Sequence, residues 1–241
     1  VHGRVLGLPA ATRRTVDRVV DRRGHRSFDE VTDLDGRGRP VAVLRYALDG
    51  RLLAATRLGW QPGTGRALPA GADAVRAADR LARSLGMVPI GAPVADRRGA
   101  NGWSVRWQRV LDGVPVPGDG LRVQLWPDGS FHGLASAEHP LAERPSTTIA
   151  ASVAEEAVDR LLDRWIPAAN RGDARIVGAS LAWVAPNDTF EPARPDAPAE
   201  IRRLAWVVTV RSSGTLAHSL RALEVSIDAG DGSLLGGDLA R

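Results

Sequence analysis

The chain has 241 residues and a formal net charge of +4 at pH 7, with 44% hydrophobic and 25% charged residues, a balance that suits a folded protein with a sizeable core. It contains no cysteine, which excludes disulfides, thiolate zinc sites and cysteine nucleophiles. No apolar run reaches the roughly eighteen residues that a membrane-crossing helix needs. All 32 Lys+Arg residues are arginine, a bias that a GC-rich genome explains without any function.

Residues 1–20 alternate arginine with short apolar pairs and lack the continuous hydrophobic region of a signal peptide. A start at Val1 fits a trimmed mature chain and equally a GTG start codon. Val16, Val19 and Val20 form a thin apolar stripe at helical spacing, which predicts a helix over 10–21. On it and just beyond it lies a cluster of Arg13, Arg14, Arg18, Arg22, Arg23 and Arg26, either a solvated helix face or a surface for phosphates and other anions. No nucleic-acid module accompanies the cluster, so no nucleic-acid partner is expected. Asp29, Glu30, Asp33 and Asp35 follow, before Gly36-Arg37-Gly38. A calcium loop needs oxygen ligands at alternate positions, and Arg37 and Leu44 stand where ligands belong, so the run reads as a solvated polar linker. Residues 41–58, around Asp49-Gly50, read as a weak hairpin.

A second helix is predicted over 70–85. Pro69 sits at its start, Val75, Ala78, Leu81, Ala82 and Leu85 recur at helical spacing, and Gly86 ends it. Trp103, Val105 and Trp107 then alternate with polar residues, as do Leu121, Val123 and Leu125, the pattern of strands with one buried face. Asp112-Gly113 and Asp128-Gly129 supply turns. A third helix is predicted over 153–165, with Ser152 and Glu155 as a capping box and Ala154, Ala157, Val158, Leu161, Leu162 and Trp165 as its apolar face. Trp206, Val208 and Val210, and then Leu223, Val225 and Ile227, predict two more strands before Asp231-Gly232. The Pro/Ala/Asp stretch 186–199 reads as a mobile segment.

These pieces recur in order, a helix followed by a hairpin. The hairpin at 121–130 returns at 223–233 with one extra residue. The expected fold class is therefore α+β, in tandem modules that each pack an α-helix on an antiparallel sheet. Their expected bounds are 1–66, 67–142 and 143–241.

The stretch 107–130, with Gly113-Val114-Pro115-Val116 and Asp128-Gly129, resembles the propeptide of thermolysin-like metalloproteases. Residues 146–165, with the strands at 204–210 and 223–235, resemble a PepSY domain. The resemblance implies a PepSY/cystatin-like fold and a non-catalytic, extracellular or envelope-facing module that binds or inhibits a protein partner, a peptidase or wall hydrolase. The His-Glu-x-x-His motif of the protease itself does not occur, and His2, His25, His132, His139 and His218 never take metal-ligand spacing on a helix.

No catalytic, cofactor or metal residues are expected. Gly129-Ser130-Phe131-His132-Gly133 lacks the form and context of a nucleophile elbow and reads as a turn followed by an outward-facing histidine. The Gly-x-Gly pairs 36/38, 63/65 and 118/120 read as turns. Trp103, Trp107, Trp165 and Trp206 fall on buried faces, where rings fill a core. Trp60, Trp126 and Trp183 fall at strand ends or near turns and, with Arg13, Arg14 and Arg18, are the candidate partner-binding residues. Two further readings stand beside the binding module: a structural or assembly protein whose copies self-associate, and a small-ligand module with a pocket between helix and sheet.

Overall fold

The stretch expected as a helix over 10–21 is instead strand β1 (Arg13–Asp21), paired antiparallel with β2 (Arg26–Leu34). Thr15, Val16, Val19 and Val20 carry the reason. β-Branched side chains lose χ1 freedom against a helical turn and fit a pleated strand. The acidic run expected as a polar linker is β2 itself and the turn after it. In that turn Asp35 accepts hydrogen bonds from the backbone N–H of Arg39 and the Arg39 guanidinium, and from the N–H of Arg37. These donors hold its carboxyl below the usual carboxylate range, the Arg39 amide being the largest cause.

This computed structural model describes residues 2–21, 26–58, 68, 70–98, 102–192, 196, 198–218 and 220–240. They fall into two compact units, Val1–Arg109 with Gly118–Glu138, and Val110–Pro117 with His139–Arg241. The tandem helix-on-sheet modules are overturned. Among the described residues strand accounts for 46% against 20% for helix, in twelve strands and two antiparallel sheets.

The first unit continues from a short helix α1 (His2–Val5) and β1–β2 into β3 (Pro40–Ala47) and β4 (Leu52–Arg57). After α2 (Gly71–Ser84) come β5 (Pro93–Arg97), β6 (Trp103–Leu111), β7 (Val114–Leu125) and β8 (Phe131–Ala137). The strand order is β1-β2-β3-β4-β8-β7-β6-β5. The decisive pairing is β4 with β8, where Ala54, Ala55 and Thr56 meet Ala135, Leu134 and Gly133. That ladder fuses what the repeated hairpins imply to be separate sheets into one of eight strands.

Helix α2 lies close to its predicted bounds. Ala74, Ala78 and Ala82, spaced by four, are fully buried among Leu44, Ala55, Trp103, Val105, Val123 and Leu125. It ends as the glycine predicts. Gly86 takes φ +76°, its N–H bonds to the Arg83 carbonyl and that of Met87 to the Ala82 carbonyl, the two bonds of a Schellman cap.

Gly118 and Gly120 are not a turn; both lie within β7 at positive φ. The Asp112-Gly113 turn does form as read, with both residues at positive φ (49° and 77°), the geometry of a two-residue hairpin loop that follows strand twist.

The second unit contains α3 (Ala151–Trp165) and strands β9 (Ala174–Val184), β10 (Arg203–Ser212), β11 (Ala222–Asp228) and β12 (Leu234–Ala240), in the order β12-β11-β10-β9. The Ser152–Glu155 capping box does not form. Ala150 is the N-cap residue and makes no side-chain cap bond, so Ser152 lies inside the first turn. Ala154, Val158 and Leu162 are fully buried with Val208, Val210, Leu223, Val225 and Ile227, each larger side chain contributing about 1.5–3 kcal/mol by its removal from water. No helix among the described residues is long and apolar enough to cross a membrane.

Candidate functional site: an open, arginine-bearing strand edge

Strand β1 stands first in its sheet, so its outer edge has no strand partner among the described residues. Alternate residues of its nine turn their backbone N–H and C=O to that edge, a template for a further strand. Alternation puts Arg14, Val16, Arg18 and Val20 on one face. The register runs from Arg14 to Asp33 to Ala42, from Val16 to Val31 to Leu44, and from Arg18 to Asp29 to Tyr46. Leu44 and Ala42 are core residues, so this face of β1 is the outward continuation of the sheet's core side. Val16 and Val20 are each 61% exposed on it.

Three candidate arginines are thereby placed on one strand. Arg14 donates from Nε and Nη2 to the two carboxylate oxygens of Asp33, at 2.7 and 3.1 Å. Arg18 grips Asp29 in the same way, at 2.5 and 3.2 Å. The hydrogen bonds to these carboxylates are the main reason that both guanidiniums hold their protons more tightly than usual. The pair uses one fork of each guanidinium and leaves Nη1 without a hydrogen bond among the described residues, on side chains 59% and 61% exposed. The Arg13 side chain makes no hydrogen bond or ion pair among the described residues. At its end of the strand lies a cleft of about 760 Å³ lined by Arg4, Leu8, Pro9, Arg13, Arg14 and Asp33, among others.

The acidic run weighed as a calcium loop is held by arginines. Asp33, Asp29, Glu30 and Asp35 are engaged by Arg14, Arg18, Arg45 and Arg39 respectively. Arg22 and Arg23 lie outside the described residues, as do Trp60 and the Gly63/Gly65 pair, and the side chain of Arg26 is likewise not described.

The tryptophan candidates do not join this edge. Trp183 is 3% exposed, packed with Val114, Val116, Leu204 and Ala229. Its place in β9 turns the ring into a core, which corrects its reading as an exposed contact. Trp126 is half-buried and stacks on His132, ring centroids 4.0 Å apart and planes at 28°. His132 is therefore not simply outward-facing, and burial lowers its pKa from 6.5. The Ser130 hydroxyl donates to Asp128 at 2.7 Å within the turn, so it is committed away from that histidine.

Two buried aspartates escaped the sequence reading. Asp119 has a fully buried side chain with Arg109 Nη1 at 3.2 Å, and Asp228 lies 2.8 Å from Arg203 Nε. Asp119 was hidden inside the supposed Gly118–Gly120 turn. Asp228 ends β11, and its Oδ1 accepts from the Gly230 N–H at 2.8 Å, so both serve local structure.

No family model matches the chain, and no curated protein matches it. Among solved structures, the C-terminal domain of YpeB from Bacillus megaterium is similar over 99% of this chain and 94% of that one, with 12% identity and a TM-score of 0.49. A similarity of that size carries no inference about function.

Proposed function

We propose that this chain is a non-catalytic, envelope-facing module that binds a protein partner by taking an extended segment of it onto the open edge of β1. The observation that supports the reading is the edge itself: a nine-residue strand paired on one side only, already registered by the strands behind it. In strand addition the main-chain hydrogen bonds supply affinity and the alternating side chains supply selectivity. A preformed edge lowers the ordering cost to that of the incoming segment.

The envelope location and the class of partner, a peptidase or wall hydrolase, rest on the PepSY and propeptide resemblance. The test is direct. Recombinant chain at micromolar concentration is titrated into thermolysin acting on a peptide substrate, and amide exchange is followed by mass spectrometry. The proposal expects slower cleavage and new protection confined to 13–21. Unchanged cleavage removes the peptidase as partner; partner-induced protection elsewhere, with β1 unmoved, removes the edge as the site.

A further inference from the structure

We infer that the segment accepted by β1 is an acidic one, with carboxylates and apolar side chains alternating on one face and a carboxylate entering the cleft at Arg13. The inference rests on the strand-addition reading above and names its partner. A strand laid beside β1 places its residues opposite Arg14, Val16, Arg18 and Val20 on the core-side face. Opposite the two valines, each 61% exposed, an apolar side chain extends the row that runs inward through Val31 to Leu44. Opposite the arginines a carboxylate meets the Nη1 donors that Asp33 and Asp29 leave unused. The pattern along the incoming chain is acidic, any, apolar, any, acidic.

The cleft adds direction. A strand antiparallel to β1 ends at Arg13, where the cleft brings together Arg4 and Arg13, neither of which has a charged partner among the described residues. The carboxylate received there is the terminal one or an acidic side chain near it.

A second copy of this chain fits the same edge poorly. A two-fold pairing centred on Asp17 sets two carboxylates opposite each other, and one centred on Arg18 sets two guanidiniums. Centring on Val16 puts Arg14 opposite Arg18 twice. Directly opposed like charges destabilise a strand pair, so these three registers are disfavoured, whereas an acidic segment meets only arginine and valine on that face.

The probes are synthetic peptides of about ten residues, a strand's length, built on the repeat Glu-Thr-Val-Thr. Counterparts carry Gln or Lys in place of Glu, and the Glu peptide is also made with an amidated C-terminus. Binding to the full chain is measured by calorimetry and located by amide exchange. The inference expects the Glu peptide to bind at least about tenfold more tightly than the Gln peptide, the Lys peptide not to bind, and the preference for Glu to shrink about fivefold in the R4A/R13A double variant. Loss of affinity on amidation assigns the cleft to the terminal carboxylate, and retained affinity assigns it to a side chain; either supports the inference. Equal binding of the three peptides with β1 amides protected overturns the acidic preference and leaves strand addition standing. Protection absent from β1 with every peptide overturns both.

Discussion

Arg14 and Asp33 stand directly opposite each other in the β1–β2 ladder, two guanidinium nitrogens on two carboxylate oxygens. The pair is asymmetric: the Asp33 side chain is 4% exposed and that of Arg14 is 59% exposed. Removing the arginine strands a carboxylate that has left water, whereas removing the aspartate frees a guanidinium that already reaches it. We expect Arg14→Ala to destabilise the first unit by about 2–3 kcal/mol and Asp33→Ala by about 1 kcal/mol. The double variant should lie near Asp33→Ala and not near the sum. Urea unfolding of the four proteins decides it, and equal effects of the two single changes would refute the asymmetry.

His132 gives the first unit an acid-sensitive contact. Burial disfavours its charged form, so its pKa in the fold lies below the 6.5 of an unfolded chain. Between those two values the unfolded state binds more protons, so stability is fully present above about 6.5 and falls as the pH drops through the folded value. The urea midpoint should therefore decline from pH 7 toward about pH 5, and His132→Gln should lose part of that decline. Parallel pH profiles for the two proteins would show that the histidine is not its source.

Gly120 occupies a place where the backbone of β6 leaves no room. A Cβ built there lies 2.0 Å from the Trp107 carbonyl oxygen and 2.9 Å from the Arg109 nitrogen, at φ +112°. Gly86, also at positive φ, has nothing within 4 Å of such a Cβ. Gly120→Ala should thus cost about 3 kcal/mol or more, because strand backbone must shift. Gly86→Ala should cost about 1 kcal/mol, the conformational part alone. Thermal melts that rank them the other way would contradict the packing at β7.

Local periodicity carried α2, α3 and the inner strands because each buries one continuous face, so its residues repeat at the period of the element. Leu121, Val123 and Leu125 are all buried as alternation requires. β1 failed for a related reason. Val16, Val19 and Val20 match helical spacing by chance, while the aspartates that pair with its arginines sit on the next strand, where no local window registers them. The eight-stranded sheet was hidden because β4 meets β8 across the whole of α2 and two hairpins, a pairing that hairpin repetition argues against. Of the site, Arg13, Arg14 and Arg18 were legible as a cluster and illegible as an edge. Trp183 was misplaced because a strand end looks exposed until Val114 and Val116 are seen packed on it.

The segment 186–199, expected to be mobile, is tied to its own unit through its described part. The Asn187 N–H donates to the Leu235 carbonyl at 2.8 Å, and its Oδ1 accepts from the N–H groups of Gly237 and Thr189, both at 3.1 Å. Phe190 stacks on Trp165 with ring centroids 4.7 Å apart, and Glu191 pairs with Arg164 at 2.6 Å. Asn187 thus satisfies backbone groups of β12, the terminal strand of its sheet, as a neighbouring strand would. An edge closed in this way does not compete with β1 for an incoming segment. Asn187→Ala removes the side-chain half of the closure, so the Gly237 amide should exchange about tenfold faster, equivalent to about 1.4 kcal/mol of lost protection. The amides of β1 should be unmoved, as should affinity for an acidic peptide. An unchanged Gly237 rate would mean that β12 is closed by something other than Asn187. Tighter peptide binding by the variant would mean that the strap, and not the order of strands, is what directs a partner to β1.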